Sequence, residues 1–168
     1  MMKSKEGIHN VKIRKLNSLP EVEVCARIMS DSEPWITLRR SYEDSLRIIK
    51  DPSKEVYLAL VDNEIKGFII LRMRGIFVGY IQTVAVSPEW RNRGIGSKLI
   101  QFAEDRIFEE FPNVFLCVSS FNQKAQDLYR RLEYEIVGEL KDFVIRGHSE
   151  ILLRKTIGPL IDYKKDKK

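Results

Sequence analysis

The chain contains only two cysteines, Cys25 and Cys117, in 168 residues. Two such distant thiols exclude the disulfide framework of a small secreted domain, and no CxxC spacing offers a zinc site. Histidine is equally scarce: His9 and His148 stand far apart without ligand-type neighbours, so no metal is expected. No apolar run approaches the roughly 20 residues that cross a bilayer. Met1–Gly7 carries lysines with no apolar stretch behind them, which argues against a signal peptide. The expected setting is the cytoplasm, with no membrane partner. Two nucleotide motifs are missing as well, the GxxxxGK(S/T) phosphate loop and the GxGxxG dinucleotide fingerprint.

What is present is an ordinary globular composition, 43% apolar and 32% charged, long enough for one domain with a sizeable core. The net charge of +5 is concentrated at the end, where Lys164, Lys165, Lys167 and Lys168 outweigh Asp166. Residues 1–157 are read as a single domain and residues 158–168 as a basic tail. The rest of the chain is nearly balanced, so a nucleic-acid partner is not expected.

Val11–Leu16 alternates apolar and basic side chains and predicts a first strand. Asn17-Ser18-Leu19-Pro20 offers a helix start, with Val24, Cys25 and Ile28 inward, ending near Ser32–Trp35. A second helix is predicted over Ser41–Lys50, with Tyr42, Leu46 and Ile49 on its apolar side. Strands follow at Glu55–Val61, Ile65–Met73 and Phe77–Val86. Their near-continuous apolar content suggests central strands covered on both faces. Then come a helix over Gly94–Phe111, a strand over Val114–Ser119, a helix over Asn122–Leu132, and strands over Tyr134–Phe143 and Ser149–Arg154. This order predicts an α/β (α+β) fold: one mixed, largely antiparallel twisted sheet of about seven strands with helices on both faces. The apolar, two-sided strands near the end offer an edge through which a homodimer could form.

The stretch with most chemistry is Val84-Ala85-Val86-Ser87-Pro88, then Arg91, Arg93, Gly94, Ile95, Gly96 and Ser97. A strand runs into a glycine-containing loop and on into a helix whose first amides lack partners, an arrangement suited to a phosphate. A second motif follows, Asn122-x-x-Ala125-x-x-Leu128-Tyr129-x-x-Leu132-x-Tyr134. Together and in this order they resemble the GNAT superfamily of acetyl-CoA-dependent N-acetyltransferases. The spacing is that of the ribosomal-protein alanine acetyltransferases, and the resemblance extends over roughly Val11–Arg154. It implies that Arg91, Arg93 and the amides of Gly94–Ser97 hold the CoA pyrophosphate. It also implies that Val84, Ala85 and Val86 offer main chain to the pantetheine arm, with the Val84 amide stabilising the oxyanion. Asn122 would contact that arm as well as cap its helix. Tyr129, seven residues on and about two helical turns away, would protonate the departing thiolate.

The usual base is absent. A family glutamate early in the strand before the loop falls at Tyr80, followed by Gln82, and the glutamate of the ribosomal-protein branch falls at Cys117. A cysteine nucleophile has no evident activating partner here, so direct transfer is expected. Without a dedicated base a low-pKa amine is favoured as acceptor. An α-amine near 8 is about 10% neutral at pH 7, whereas a lysine near 10.4 is neutral about once in 2,500. The acceptor expected is therefore a peptide or protein α-amine. Lysine or small-molecule amines, or a non-catalytic acyl-CoA-binding module, are the alternatives. Glu33 and Trp35 are the candidate acceptor-side residues, Glu33 also as proton acceptor, with Arg39, Arg40 and Tyr42 behind them. Asp142, His148 and Glu150 could line the same pocket from the last strands, though they read more simply as hairpin surface.

Overall fold

The computed structural model describes residues 10–163. His9 and the basic residues 164–168 lie outside this range. The elements are β1 (Lys12–Lys15), α1 (Leu19–Ser30), α2 (Tyr42–Ile49), β2 (Glu55–Val61), β3 (Glu64–Arg72), β4 (Tyr80–Val86), a 3₁₀ turn (Pro88–Trp90), α3 (Ile95–Phe108), β5 (Asn113–Ser119), α4 (Gln123–Arg131), β6 (Glu135–Lys141), β7 (Ser149–Thr156) and α5 (Leu160–Tyr163). The seven strands form one sheet in the order β1-β2-β3-β4-β5-β7-β6, mostly antiparallel as anticipated, with β4 and β5 parallel. Within the segment anticipated as a tail, Leu160–Tyr163 form the helical turn α5.

The chain divides into two compact units. The first runs to Ile70 and resumes over Thr83–Phe102; the second comprises Leu71–Gln82 and everything from Ala103 onward. In the first, Val22, Cys25, Ala26 and Met29 of α1 join Trp35, Ile49 of α2, Val56, Leu58 and Leu60 of β2, Phe68 and Ile70 of β3, and Ala85 of β4 in one core. The inward face of α1 is thus set by 22, 25, 26 and 29, a helical i, i+3, i+4, i+7 stripe. Val24, anticipated inward, is 41% exposed. Helix α2 begins with a capping box in which Ser41 Oγ accepts from the Asp44 amide and the Asp44 carboxylate accepts from the Ser41 amide.

The strand anticipated from Phe77 begins only at Tyr80. Gly75 and Gly79 both take positive φ, +115° and +76°, which breaks the extended run. Nor is β4 covered alike on both faces: Ile81, Thr83 and Ala85 are buried, while Tyr80, Gln82, Val84 and Val86 are half-buried. In the second unit β5 pairs with β7 along its whole length, Asn113↔Thr156 to Ser119↔Glu150. The described register of β4 with β5 is Tyr80↔Phe115 and Ile81↔Leu116. Strand β6 is last in the sheet order and exposed along most of its length.

Candidate active site

In the first unit, β4 passes through the 3₁₀ turn into α3. The Ser87 amide donates to the Lys66 carbonyl at 2.9 Å, anchoring the end of β4 to β3. Asn92 and Gly94 adopt positive φ, +59° and +85°, and the Gly94 carbonyl accepts from the Lys98 amide at 3.1 Å. Gly94 is therefore the N-cap, a position that asks for positive φ here and brings no side-chain oxygen. The first turn of α3 carries no acidic residue, whereas α2 has its capping box and α4 has Asn122. Gly94 thus offers no side-chain oxygen to the amides at the start of α3, and no acidic residue in that turn faces the dipole end.

The two arginines of the loop do different things. Arg91 Nε donates to the Val86 carbonyl at 3.1 Å, and its Nη2 donates to the Glu33 carbonyl at 3.0 Å. It ties the loop to the end of β4 and to the segment between α1 and α2. The Arg93 guanidinium lies over the Trp90 ring at 4.8 Å, and Lys66 Nζ lies over the same ring at 4.8 Å. Arg91→Lys keeps the charge but not the planar fork that reaches two carbonyls. It is expected to lower stability by about 1–2 kcal/mol, read from urea unfolding. An unchanged midpoint would show that the bracing bonds carry no weight.

The acceptor-side candidates are placed unequally. Trp35 is buried in the core of the first unit, so its indole supports the segment from below. Glu33 is exposed, its Oε2 accepting from the Thr37 amide at 3.2 Å. Tyr42 faces the same core, with the Arg27 guanidinium over its ring.

In the second unit, Asn122 Oδ1 accepts from the Ala125 amide at 3.2 Å, the anticipated cap of α4. Tyr129 is buried, with its ring edge-on to Tyr134 at 5.6 Å. Burial pushes its phenol above the usual range, so it stays protonated. The hairpin candidates separate as well. Asp142 is exposed and accepts from the Gly147 amide at 2.6 Å, a turn-forming role. The His148 ring packs edge-on against Phe121 at 4.9 Å. Glu150, anticipated as hairpin surface, is instead buried and accepts a hydrogen bond from Ser119 Oγ at 2.6 Å. The thiols read as small core groups also diverge. Burial pushes Cys25 up to about 12, while the half-buried Cys117 is raised by burial and by Glu150, with Tyr80 opposing the shift. A raised thiol is a poor nucleophile at neutral pH.

These elements match a known pattern. The Acetyltransferase (GNAT) family covers residues 22–134, more than half of the chain. The chain belongs to this family. It is accordingly an acetyl-CoA-dependent N-acetyltransferase, in line with the two motifs. Relatives within this reach differ in acceptor. An N-alpha-acetyltransferase of Saccharolobus solfataricus is 24% identical over 122 residues, covering 65% of this chain and 73% of that protein. A spermidine N(1)-acetyltransferase of Escherichia coli is 25% identical over 129 residues, covering 74% and 68%. The crystal structure of an aminoglycoside 6'-N-acetyltransferase complexed with coenzyme A superimposes with a TM-score of 0.72 at 15% identity, covering 88% of this chain and 98% of that one. At that identity the likeness speaks for the fold. Gly67 does not stand out among the sequence motifs, and Glu150 enters the sequence reading only as a possible pocket residue that reads more simply as hairpin surface. A glycine inside an apolar strand, which marks close backbone approach, was the available signal for the first.

Proposed function

We propose that this acetyltransferase acts on a primary amine by direct attack, with a peptide or protein α-amine as the preferred acceptor. The observation that carries the donor half is the start of α3, a glycine N-cap with no acid in the first turn, which suits a pyrophosphate. The amides of Gly94, Ile95, Gly96 and Ser97 bind the diphosphate, and Arg93 adds charge. Arg91 holds the loop in shape. The main chain of Val84, Ala85 and Val86 pairs with the pantetheine arm, and Asn122 contacts it from the start of α4.

Acetyl-CoA supplies a thioester carbonyl as the electrophile. The Val84 N–H takes up the negative charge that grows on the carbonyl oxygen when the amine attacks. Tyr129 gives a hydrogen bond and finally a proton to the departing sulfur. Glu33 lies on the segment that faces the acceptor, supported by Trp35.

The α-amine reading rests on the low-pKa argument and gains support from the N-alpha-acetyltransferase relative. The spermidine relative favours a second reading, a small polyamine acceptor. Two free thiols suit a cytoplasmic setting, and among the described residues no helix is long and apolar enough to cross a membrane. A homodimer, if formed, would use β6, where Ile136 and Val137 are 71% and 54% exposed.

Acetyl-CoA at 100 times its dissociation constant is expected to stabilise the fold by about 2.7 kcal/mol, raising Tm by about 5–10 °C. No shift would sink the donor assignment. Thiol release with N-terminal peptides, lysine peptides and polyamines then ranks the acceptors, and a polyamine preference would replace the α-amine reading.

A further inference from the structure

A carboxylate in a sheet interior needs a reason to be there, because burying an unpaired charge is costly. Glu150 on β7 is 7% exposed. It accepts a hydrogen bond from Ser119 Oγ, and the ion pairs among the described residues give it no basic partner. Strand registers show what shares its face. Ser119 is directly opposite Glu150, and Cys117 is two residues before Ser119 on β5. Tyr80 on β4 is opposite Phe115, which has the same parity. Tyr80, Cys117, Ser119 and Glu150 therefore line one face of the sheet, with the Tyr80 phenol beside the Cys117 thiol.

Gln82 follows Tyr80 on that same face of β4. Its Oε1 is buried with no hydrogen-bond partner. The family's glutamate positions fall at Tyr80 and Cys117. Here both are neutral groups, and the carboxylate stands beside them on the neighbouring strand β7.

We propose that Glu150 is the general base of the acetyl transfer, removing the proton from the attacking amine directly or through one water. The inference rests on the acetyl-transfer reading above. In the step, the amine nitrogen forms the new N–C bond and the C–S bond breaks. The proton on nitrogen passes to Glu150, and the sulfur receives its proton from Tyr129. Release of the Glu150 proton and reprotonation of Tyr129 restore the enzyme with no net change. Burial raises the Glu150 carboxyl above the usual range, and the Ser119 hydrogen bond pulls it back down, which moves a carboxylate toward neutral-pH base work. The groups facing it are the neutral Tyr80 phenol from β4 and the Cys117 thiol and Ser119 hydroxyl from β5. On β6 its register partner is Leu140.

Two variants test this in the full chain. Glu150→Gln keeps an acceptor for Ser119 and is expected to fold, to retain the acetyl-CoA thermal shift, and to lose about 100-fold in kcat. Ser119→Ala removes the bond that holds the carboxyl down, so the acidic limb of the kcat/KM profile is expected to move to higher pH. A limb set by the acceptor amine would stay where it is. Unchanged kcat in Glu150→Gln, or an unmoved limb in Ser119→Ala, would overturn the assignment. If the wild type itself showed no acetyl-CoA shift, the donor reading would fall with it; a retained shift beside unaltered variants would remove Glu150 alone.

Discussion

Tyr129→Phe is expected to lower kcat about 100- to 1,000-fold while acetyl-CoA binding stays nearly unchanged. Phenylalanine keeps the edge-on packing against Tyr134 and the buried position, so the fold is preserved and only the hydroxyl is lost. The size of the effect follows from the leaving group. A thiol has a pKa near 8.5 and an ordinary phenol one near 10, so proton transfer from phenol to thiolate in water runs uphill. Burial lifts the Tyr129 phenol further, keeping its hydroxyl protonated and making it a reluctant acid. It therefore works by donating to sulfur as the C–S bond stretches. The proton crosses only as charge localises on a sulfur that has also lost its water. One consequence is visible in pH: because burial raises the phenol, the wild type should show no alkaline fall in kcat from Tyr129 below about pH 10. Stopped-flow or thiol-trapping assays across pH measure both effects. An unchanged kcat in Tyr129→Phe would remove the residue from the chemistry.

The parts of this molecule that were readable in sequence are those fixed by local physics. The strand–loop–helix around Gly94 declares itself because a glycine and a periodic apolar stripe occur within one short stretch. Asn122 reads as a cap because the residue type and the helix that follows agree. Where contacts arrive from distant segments, sequence falls silent. Arg91 looks like a phosphate ligand, yet two of its nitrogens are engaged by carbonyls, one of them Glu33, 58 residues away. Glu150 looks like the outer face of a hairpin strand. It is buried only because β7 pairs with β5 on one side and β6 on the other, an order that the chain sequence does not announce. The late start of β4 is a local effect that periodicity hides, since Phe77 and Val78 are apolar and only the positive φ of Gly75 and Gly79 interrupts the run.

Gly67→Val is expected to cost about 3 kcal/mol of stability and to raise the Michaelis constant for acetyl-CoA at least about tenfold, a difference of about 1.4 kcal/mol. A Cβ at Gly67 would stand 2.6 Å from the Ala85 carbonyl oxygen, 3.4 Å from Ile95 Cγ2 and 3.4 Å from Leu99 Cδ1. The first contact is with backbone, which cannot rotate away, so β3 and β4 must separate or the Ala85 peptide must turn. Either movement displaces the amide of Val84, one residue before Ala85, and strains the Ser87–Lys66 bond beside it. The two other contacts belong to the first turns of α3, so the same side chain also pushes the helix whose amides are assigned to the diphosphate. One substitution thus disturbs both ends of the donor site from a position that does not itself meet the donor. Gly138→Val is the control, since a Cβ there meets nothing within 4 Å and β-branched residues suit a strand. Urea unfolding and acetyl-CoA titration of the two variants separate the effects. If Gly67→Val matched the control in both, the close approach of β3 to β4 would not be what sets the geometry of the donor loop.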